Sequence, residues 1–110
     1  GHIERIDLTD PPGRRRCPCG RAELRPDVIW FGEALDPDVW QRAEAACSNC
    51  DLLLVVGTDA SVYPAAGLIT LARHHGARIV VVNMNPSRAS GIADVELIGS
   101  AAELLPALLA

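Results

Sequence analysis

"CDLLLVVGT", Cys50 to Thr58, is an unbroken Leu/Val run that closes on a glycine. Runs of this kind belong to strands buried on both faces, the environment of a parallel sheet. Working outward toward the C-terminus, "YPAAGLITLARHHG" (63–76) reads as a helix entered through Pro64 and stopped by Gly76. "ARIVVVN" (77–83) repeats the buried-strand pattern, and "VELIG" (95–99) predicts a third strand. "SAAELLPALLA" (100–110) opens on a capping box, Ser100 with Glu103, and continues as a Leu-rich helix. Pro106 predicts that this helix bends or starts late. Working toward the N-terminus, Asp36 is a good helix cap and Pro37 suits the first helical position. Val39, Ala43, Ala46, Cys47 and Cys50 then recur at helical spacing. "VIWF" (28–31) predicts a brief strand, with Trp30 turned into the core by strand alternation. Residues 1–27 read as irregular loop, holding Pro11, Pro12, Gly13, the run Arg14–Arg16 and "CPCG".

Strands alternating with helices mean an α/β fold with parallel strands and right-handed crossovers. Three parallel strands make a thin sheet, so the chain reads as part of a sheet with one edge open. With 110 residues, nearly half of them hydrophobic, one small domain can form. The net charge of −4 carries no basic excess, which argues against direct nucleic-acid binding. No apolar run approaches the roughly 20 residues that cross a bilayer, so no membrane partner is expected. No signal-peptide pattern opens the chain, and a soluble cytoplasmic protein is expected. Four cysteines then suggest metal ligands or free thiols rather than disulfides.

Ligands of open α/β sheets bind at the carboxyl ends of the strands. Those positions hold Gly57, Thr58 and Asp59, then Asn83, Met84 and Asn85, then Gly99, Ser100 and Ala101. Glycine admits a ligand to the backbone, and hydroxyl and amide groups bond sugar hydroxyls. The turn at 57–63 is expected to open the next helix, whose N-terminus favours phosphate. A nucleotide suits this set, although the same residue types are ordinary turn formers. The Gly-x-Gly-x-x-Gly fingerprint is absent.

"LRPDVIWFGE", "CDLLLVVGTDASVYPAAGL", "VVVNMNPS" and "GSAAELLPALL", in this order and spacing, resemble the C-terminal half of the sirtuins, NAD-dependent protein lysine deacylases. The resemblance runs from about Cys17 to Ala110. It implies a partial, parallel Rossmann-type sheet of about three to four strands over 28–110, the C-terminal half of an NAD-binding domain. Residues 1–27 would be the remnant of a small zinc module. In sirtuins the acyl-lysine peptide adds as a strand between two enzyme loops. By resemblance, Ile29 lines the acyl-lysine channel and Phe31 packs over the alkyl stem. Gly32 and Glu33 offer backbone to the peptide, as do Ser61, Val62 and Tyr63. Gly57, Thr58 and Asp59 go to the NAD phosphates and ribose, Asn83 and Asn85 to the adenosine ribose, and Ser100 and Ala101 to the adenine edge.

The chain departs from the family at Asp59, where serine is usual. Two unit charges about 4 Å apart repel by about 4 kcal/mol at an effective dielectric near 20, so this carboxylate must turn away from a pyrophosphate. The family's Gly-rich NAD turn and catalytic histidine belong to its first half, and the catalytic role is carried onto no residue here. His2 is not assigned it, and His74 and His75 read as a plain helix end. Cys17 and Cys19 resemble the family's second zinc-ligand pair, shortened by one residue. Structural zinc takes four ligands, so a vacant or crippled site is expected. Cys47 and Cys50 have the Cys-x-x-Cys spacing of a ligand pair but read better as small buried or half-buried thiols. Arg14–Arg16 reads as a solvated loop. Three functions stay open: part of a deacylase supplying the peptide clamp and the adenosine side of the NAD site, a catalytically inactive nucleotide- or peptide-binding module, and a zinc-ribbon-like interaction protein.

Overall fold

The computed structural model describes residues 16–110. The expectations for His2, Pro11, Pro12, Gly13, Arg14 and Arg15 lie outside the described residues. The chain divides into two units, residues 1–35 and 36–110.

The second unit begins at Asp36, whose Oδ1 accepts the backbone N–H groups of Asp38 and Val39 at 2.9 and 3.3 Å. This cap, with Pro37 in the first turn, starts helix α1, Pro37–Asn49. Strand β1 is Leu52–Val56 and helix α2 is Gly67–His74. Strand β2 is Arg78–Asn83, strand β3 is Val95–Ile98 and helix α3 is Ala101–Leu108. The strands lie in the order β1-β2-β3, all parallel, with Val55 opposite Val81 and Val82 opposite Leu97. This is a partial Rossmann-type α/β fold, as the sequence predicts. Among the described residues no helix is long and apolar enough to cross a membrane.

Parallel register sets the two faces of the sheet. Val55, Ile79 and Val81 share one face and form a dry core with Cys47 of α1 and Ile69 and Ala72 of α2. Ile79, Val81 and Ala72 have no exposed surface. On the other face Val82 is fully buried, but Leu52, Val56 and Val95 are exposed. The expectation that β1 is buried on both faces is therefore corrected, because alternate β1 residues lack a covering layer among the described elements. Asp94 ties the N-terminal part of β2, accepting the Ile79 N–H at 2.7 Å beside Arg73 at 3.6 Å.

Four local expectations also change. Residues 28–31 form no strand, because a tight turn at 30–33 takes up their backbone. Trp30 is accordingly not core; it is 54% exposed. In α1 the inward stripe is Trp40, Ala43, Cys47 and Cys50, whereas Val39 and Ala46 are exposed, a face rotated by one residue from the expected one. Helix α2 starts at Gly67 because turn bonds Ala66 N–H to Val62 C=O and Gly67 N–H to Pro64 C=O precede it. The 57–63 turn thus does not open the helix directly; the turn at 63–66 lies between them. In α3 the capping box does not close: the Ser100 hydroxyl makes no cap bond, and its carbonyl instead accepts from Glu103 and Leu104 at 3.1 and 2.9 Å. The helix begins directly after Ser100 and runs through Pro106.

Candidate functional site

The strand ends meet at one rim. Gly57 N–H donates to Val82 C=O at 3.0 Å, which ties the end of β1 to the end of β2. Gly99 N–H donates to Asn83 C=O at 2.9 Å, which ties β3 to β2 in the same way. The Asn83 amide spans the gap, its Nδ2 donating to Thr58 C=O at 2.9 Å and its Oδ1 accepting Met84 N–H at 3.1 Å. The Thr58 hydroxyl accepts Ala60 N–H at 3.1 Å, and Asp59 C=O accepts Arg88 N–H at 3.2 Å. Gly57, Thr58, Asn83 and Gly99 are thereby one connected group, with Ser100 and Ala101 next in the chain.

Gly57 adopts a φ of 64°, a left-handed conformation that suits glycine. A Cβ there would meet nothing within 4 Å, so the backbone lies open to an approaching ligand. Thr58 and Asp59 are exposed, Asn83, Ser100 and Ala101 are half-buried, and Asn85 is exposed. The donors and acceptors fit a nucleotide's sugar and phosphate groups, and the open Gly57 backbone admits them. Sequence reasoning did not foresee that Asn83 braces the rim from within, a link that needs the fold. Nor did it foresee an apolar hollow of about 300 Å³ under the 57–66 loop, lined in part by Val55, Ala60, Val62, Ala66 and Leu68. On that loop Ser61 is half-buried, Val62 is exposed and Tyr63 is 72% exposed.

The first unit builds two turns. Cys17 N–H donates to Ala22 C=O at 2.9 Å, and Gly20 N–H returns to Cys17 C=O at 2.7 Å. Cys19 N–H approaches Cys17 Sγ at 3.5 Å. Its neighbour Cys17 and the surrounding backbone N–H groups lower the Cys19 thiol pKa. Among the described residues no group of three His, Cys, Asp or Glu side chains comes together to hold a metal. Two thiols do not complete a tetrahedral zinc set. Cys47 is buried, and burial followed by the neighbouring Cys50 pushes its thiol up. It packs as an apolar side chain and would have to leave its core to serve as a ligand.

The second turn carries Ile29, Phe31, Gly32 and Glu33. Glu33 N–H donates to Trp30 C=O at 3.0 Å, and Trp30 N–H donates to Glu33 Oε2 at 3.1 Å. Arg25 Nη2 donates to both Glu33 oxygens at 3.0 and 3.2 Å, Nη1 donates to Val28 C=O at 3.1 Å, and the guanidinium lies 4.8 Å from the Trp30 ring centre. The Trp30 N–H first, and Arg25 after it, hold the Glu33 carboxyl below its ordinary value. Ile29 is half-exposed and Phe31 is 91% exposed. His75, although followed by Gly76, closes α2 with its ring Nδ1 2.9 Å from Leu71 C=O.

A strand-end rim with open backbone, on a partial Rossmann-type sheet, defines a nucleotide-binding class of fold. The model of the Sir2 family matches residues 3–64, more than half of the chain, and the chain belongs to that family. It is 52% identical over 103 residues to an NAD-dependent protein deacylase of Ralstonia nicotianae, covering 93% of this chain and 42% of that protein. A Sir2 homologue solved as an NAD complex superimposes with a TM-score of 0.77 at 38% identity, covering 89% of this chain and 38% of that one. Sir2Af2 bound to a myristoylated histone peptide superimposes with a TM-score of 0.68 at 42% identity, covering 69% of this chain and 32% of that one. The chain thus spans about two-fifths of the length of the curated relative it matches.

Proposed function

We propose that this chain is part of an NAD-dependent protein-lysine deacylase, to which it contributes the adenosine side of the NAD site and contacts to the acyl-lysine peptide. The observation that carries the reading is the connected rim of Gly57, Thr58, Asn83 and Gly99 in a chain 52% identical to an NAD-dependent deacylase. NAD, when bound, supplies a ribose carbon that loses nicotinamide to the incoming acyl oxygen. Gly57 and Thr58 would hold phosphate and ribose, Asn83 and Asn85 the adenosine ribose, and Ser100 and Ala101 the adenine edge. Asp59 would accept from a ribose hydroxyl while its carbonyl stays on Arg88. Ile29 would accept the substrate amide N–H and line the channel, and Phe31 would cover the alkyl stem. Gly32, Glu33, Ser61, Val62 and Tyr63 would give backbone to the extended peptide. A cytoplasmic location suits the free thiols Cys17, Cys19, Cys47 and Cys50.

The test is nicotinamide release from NAD in the presence of an acyl-lysine peptide, run beside calorimetry with ADP-ribose. Release together with ADP-ribose binding supports the reading. ADP-ribose binding without release supports a non-catalytic binding module instead. Neither release nor binding overturns both.

A further inference from the structure

Phe31 raises a physical problem. An apolar ring that is 91% exposed has no packing to fix it, so its position rests on the backbone beneath it. That backbone lies in a solvent-exposed turn, where a single main-chain bond from Glu33 to Trp30 would be a weak restraint. The side chains around it supply the rest. Glu33 returns its own carboxylate to the Trp30 N–H, closing the turn a second time. A glutamate alone has three rotatable torsions and would not stay in that pose. Arg25 holds both carboxylate oxygens, the Val28 carbonyl and one face of the Trp30 ring at once. We propose that Arg25 is the positioning residue of the peptide-contacting segment, fixing the 30–33 turn through Glu33, Val28 and Trp30 so that Ile29 and Phe31 are presented to an acyl-lysine peptide.

The inference rests on the deacylase reading and adds to it the roles of Arg25, Trp30 and the Glu33 side chain. Two features give it detail. Arg25 occupies the Val28 carbonyl, whereas among the described residues nothing donates to the Ile29 carbonyl. The clamp therefore sorts the two carbonyls: one is tied inside, and the next is left as an acceptor for a ligand amide. The second feature is the demand for a planar fork. Lysine keeps the charge but cannot bridge two oxygens and a carbonyl in one plane while lying on an indole. Trp30 and Glu33 beside a glycine thus form a platform and a latch for one guanidinium.

Trp30 and Trp40 are the two tryptophans of the chain, so a Trp40→Phe background leaves Trp30 as the reporter. In that background the full chain is compared with its Arg25→Lys and Arg25→Met variants and the Arg25→Glu/Glu33→Arg double exchange. Acrylamide quenching of Trp30 reads the turn. Anisotropy of a fluorescein-labelled peptide with one myristoyl-lysine reads presentation, and far-UV circular dichroism checks folding. Both single variants are expected to bind the peptide about five- to tenfold more weakly, the size of one lost charged network near a surface, with Trp30 more readily quenched. The double exchange is expected to stay weak, because a carboxylate at 25 cannot donate to Val28 and a guanidinium at 33 cannot accept from Trp30. If Arg25→Met fails to fold, Arg25→Lys decides alone. Wild-type affinity in Arg25→Lys, or recovery in the double exchange, overturns the proposal while leaving the deacylase reading intact. A wild-type chain that binds no acyl peptide overturns the peptide half of that reading and this proposal with it.

Discussion

Ile79 has no exposed surface and Phe31 is 91% exposed, although both are large apolar side chains in short apolar runs. Around Ile79 the chain is held by burial. Val55, Val81, Ile69 and Ala72 pack around it, and its local polar ties both run to Asp94, whose carboxylate accepts its N–H and whose N–H donates to its carbonyl. Around Phe31 the chain is held by polar ties alone, from Arg25 and Glu33. The first arrangement resists small changes of solvent and fails when volume is removed. The second resists loss of an apolar side chain and fails when a charge or a donor is changed. Two short apolar runs thus have opposite vulnerabilities, and substitutions can separate them.

Ile79→Ala should have the largest effect on stability, about 2–5 kcal/mol in urea unfolding followed by circular dichroism. Phe31→Ala at the matching exposed site should stay within about 0.5 kcal/mol in the same measurement while weakening peptide binding. Equal losses at the two sites would erase the distinction. Asp94→Ala probes the side-chain polar tie at the start of β2. It leaves the Ile79 N–H without its acceptor and removes one partner of Arg73, which keeps the Ile92 carbonyl, and should cost about 1–3 kcal/mol by the same unfolding measurement. Gly57→Ala should cost about 1–2 kcal/mol through its left-handed φ of 64°, and ADP-ribose calorimetry should show weaker binding because the added methyl narrows the open backbone.

The smallest effect sharpens the contrast by pH. The folded Glu33 carboxyl lies below its ordinary value of 4.5, held there by the Trp30 N–H and then Arg25. A depressed acid contributes above its unfolded pKa and loses that contribution as pH falls through the folded one. Trp30 quenching in a Trp40→Phe background should therefore be flat at neutral pH and rise only below 4.5. A rise between neutral pH and 4.5 would contradict the direction given for Glu33.

The strands were legible because a continuous Leu/Val run has one comfortable environment, and parallel order followed from alternation with helices. The rim followed as well, since strand ends of a parallel sheet must share one side. What escaped the sequence depended on partners distant in the chain. "VIWF" has strand composition, but the Arg25–Glu33 pair, eight residues apart, and the turn it closes override that preference. Pro64 suits a helix entrance and a turn equally, and the Val62–Ala66 bond decides for the turn. In α1 the periodicity was right and the facing was off by one residue, because Trp40 takes a place toward the interior that Val39 was expected to hold. Ser100 has cap chemistry, yet its carbonyl alone receives the first-turn bonds.

The tie between Asn83 and Thr58 runs from a side chain to a main-chain carbonyl. It is therefore blind to identity at one end and strict at the other. In a saturation library, position 58 should keep this tie with many residues, although only a side-chain acceptor also keeps the Ala60 N–H bond, while position 83 should accept few. Aspartate there would lack the donor, and leucine would leave the Thr58 carbonyl and the Met84 N–H without their partner. Anyone grafting the 57–60 segment from a relative should keep the asparagine across the gap together with the glycine at 57 and a side-chain acceptor at 58.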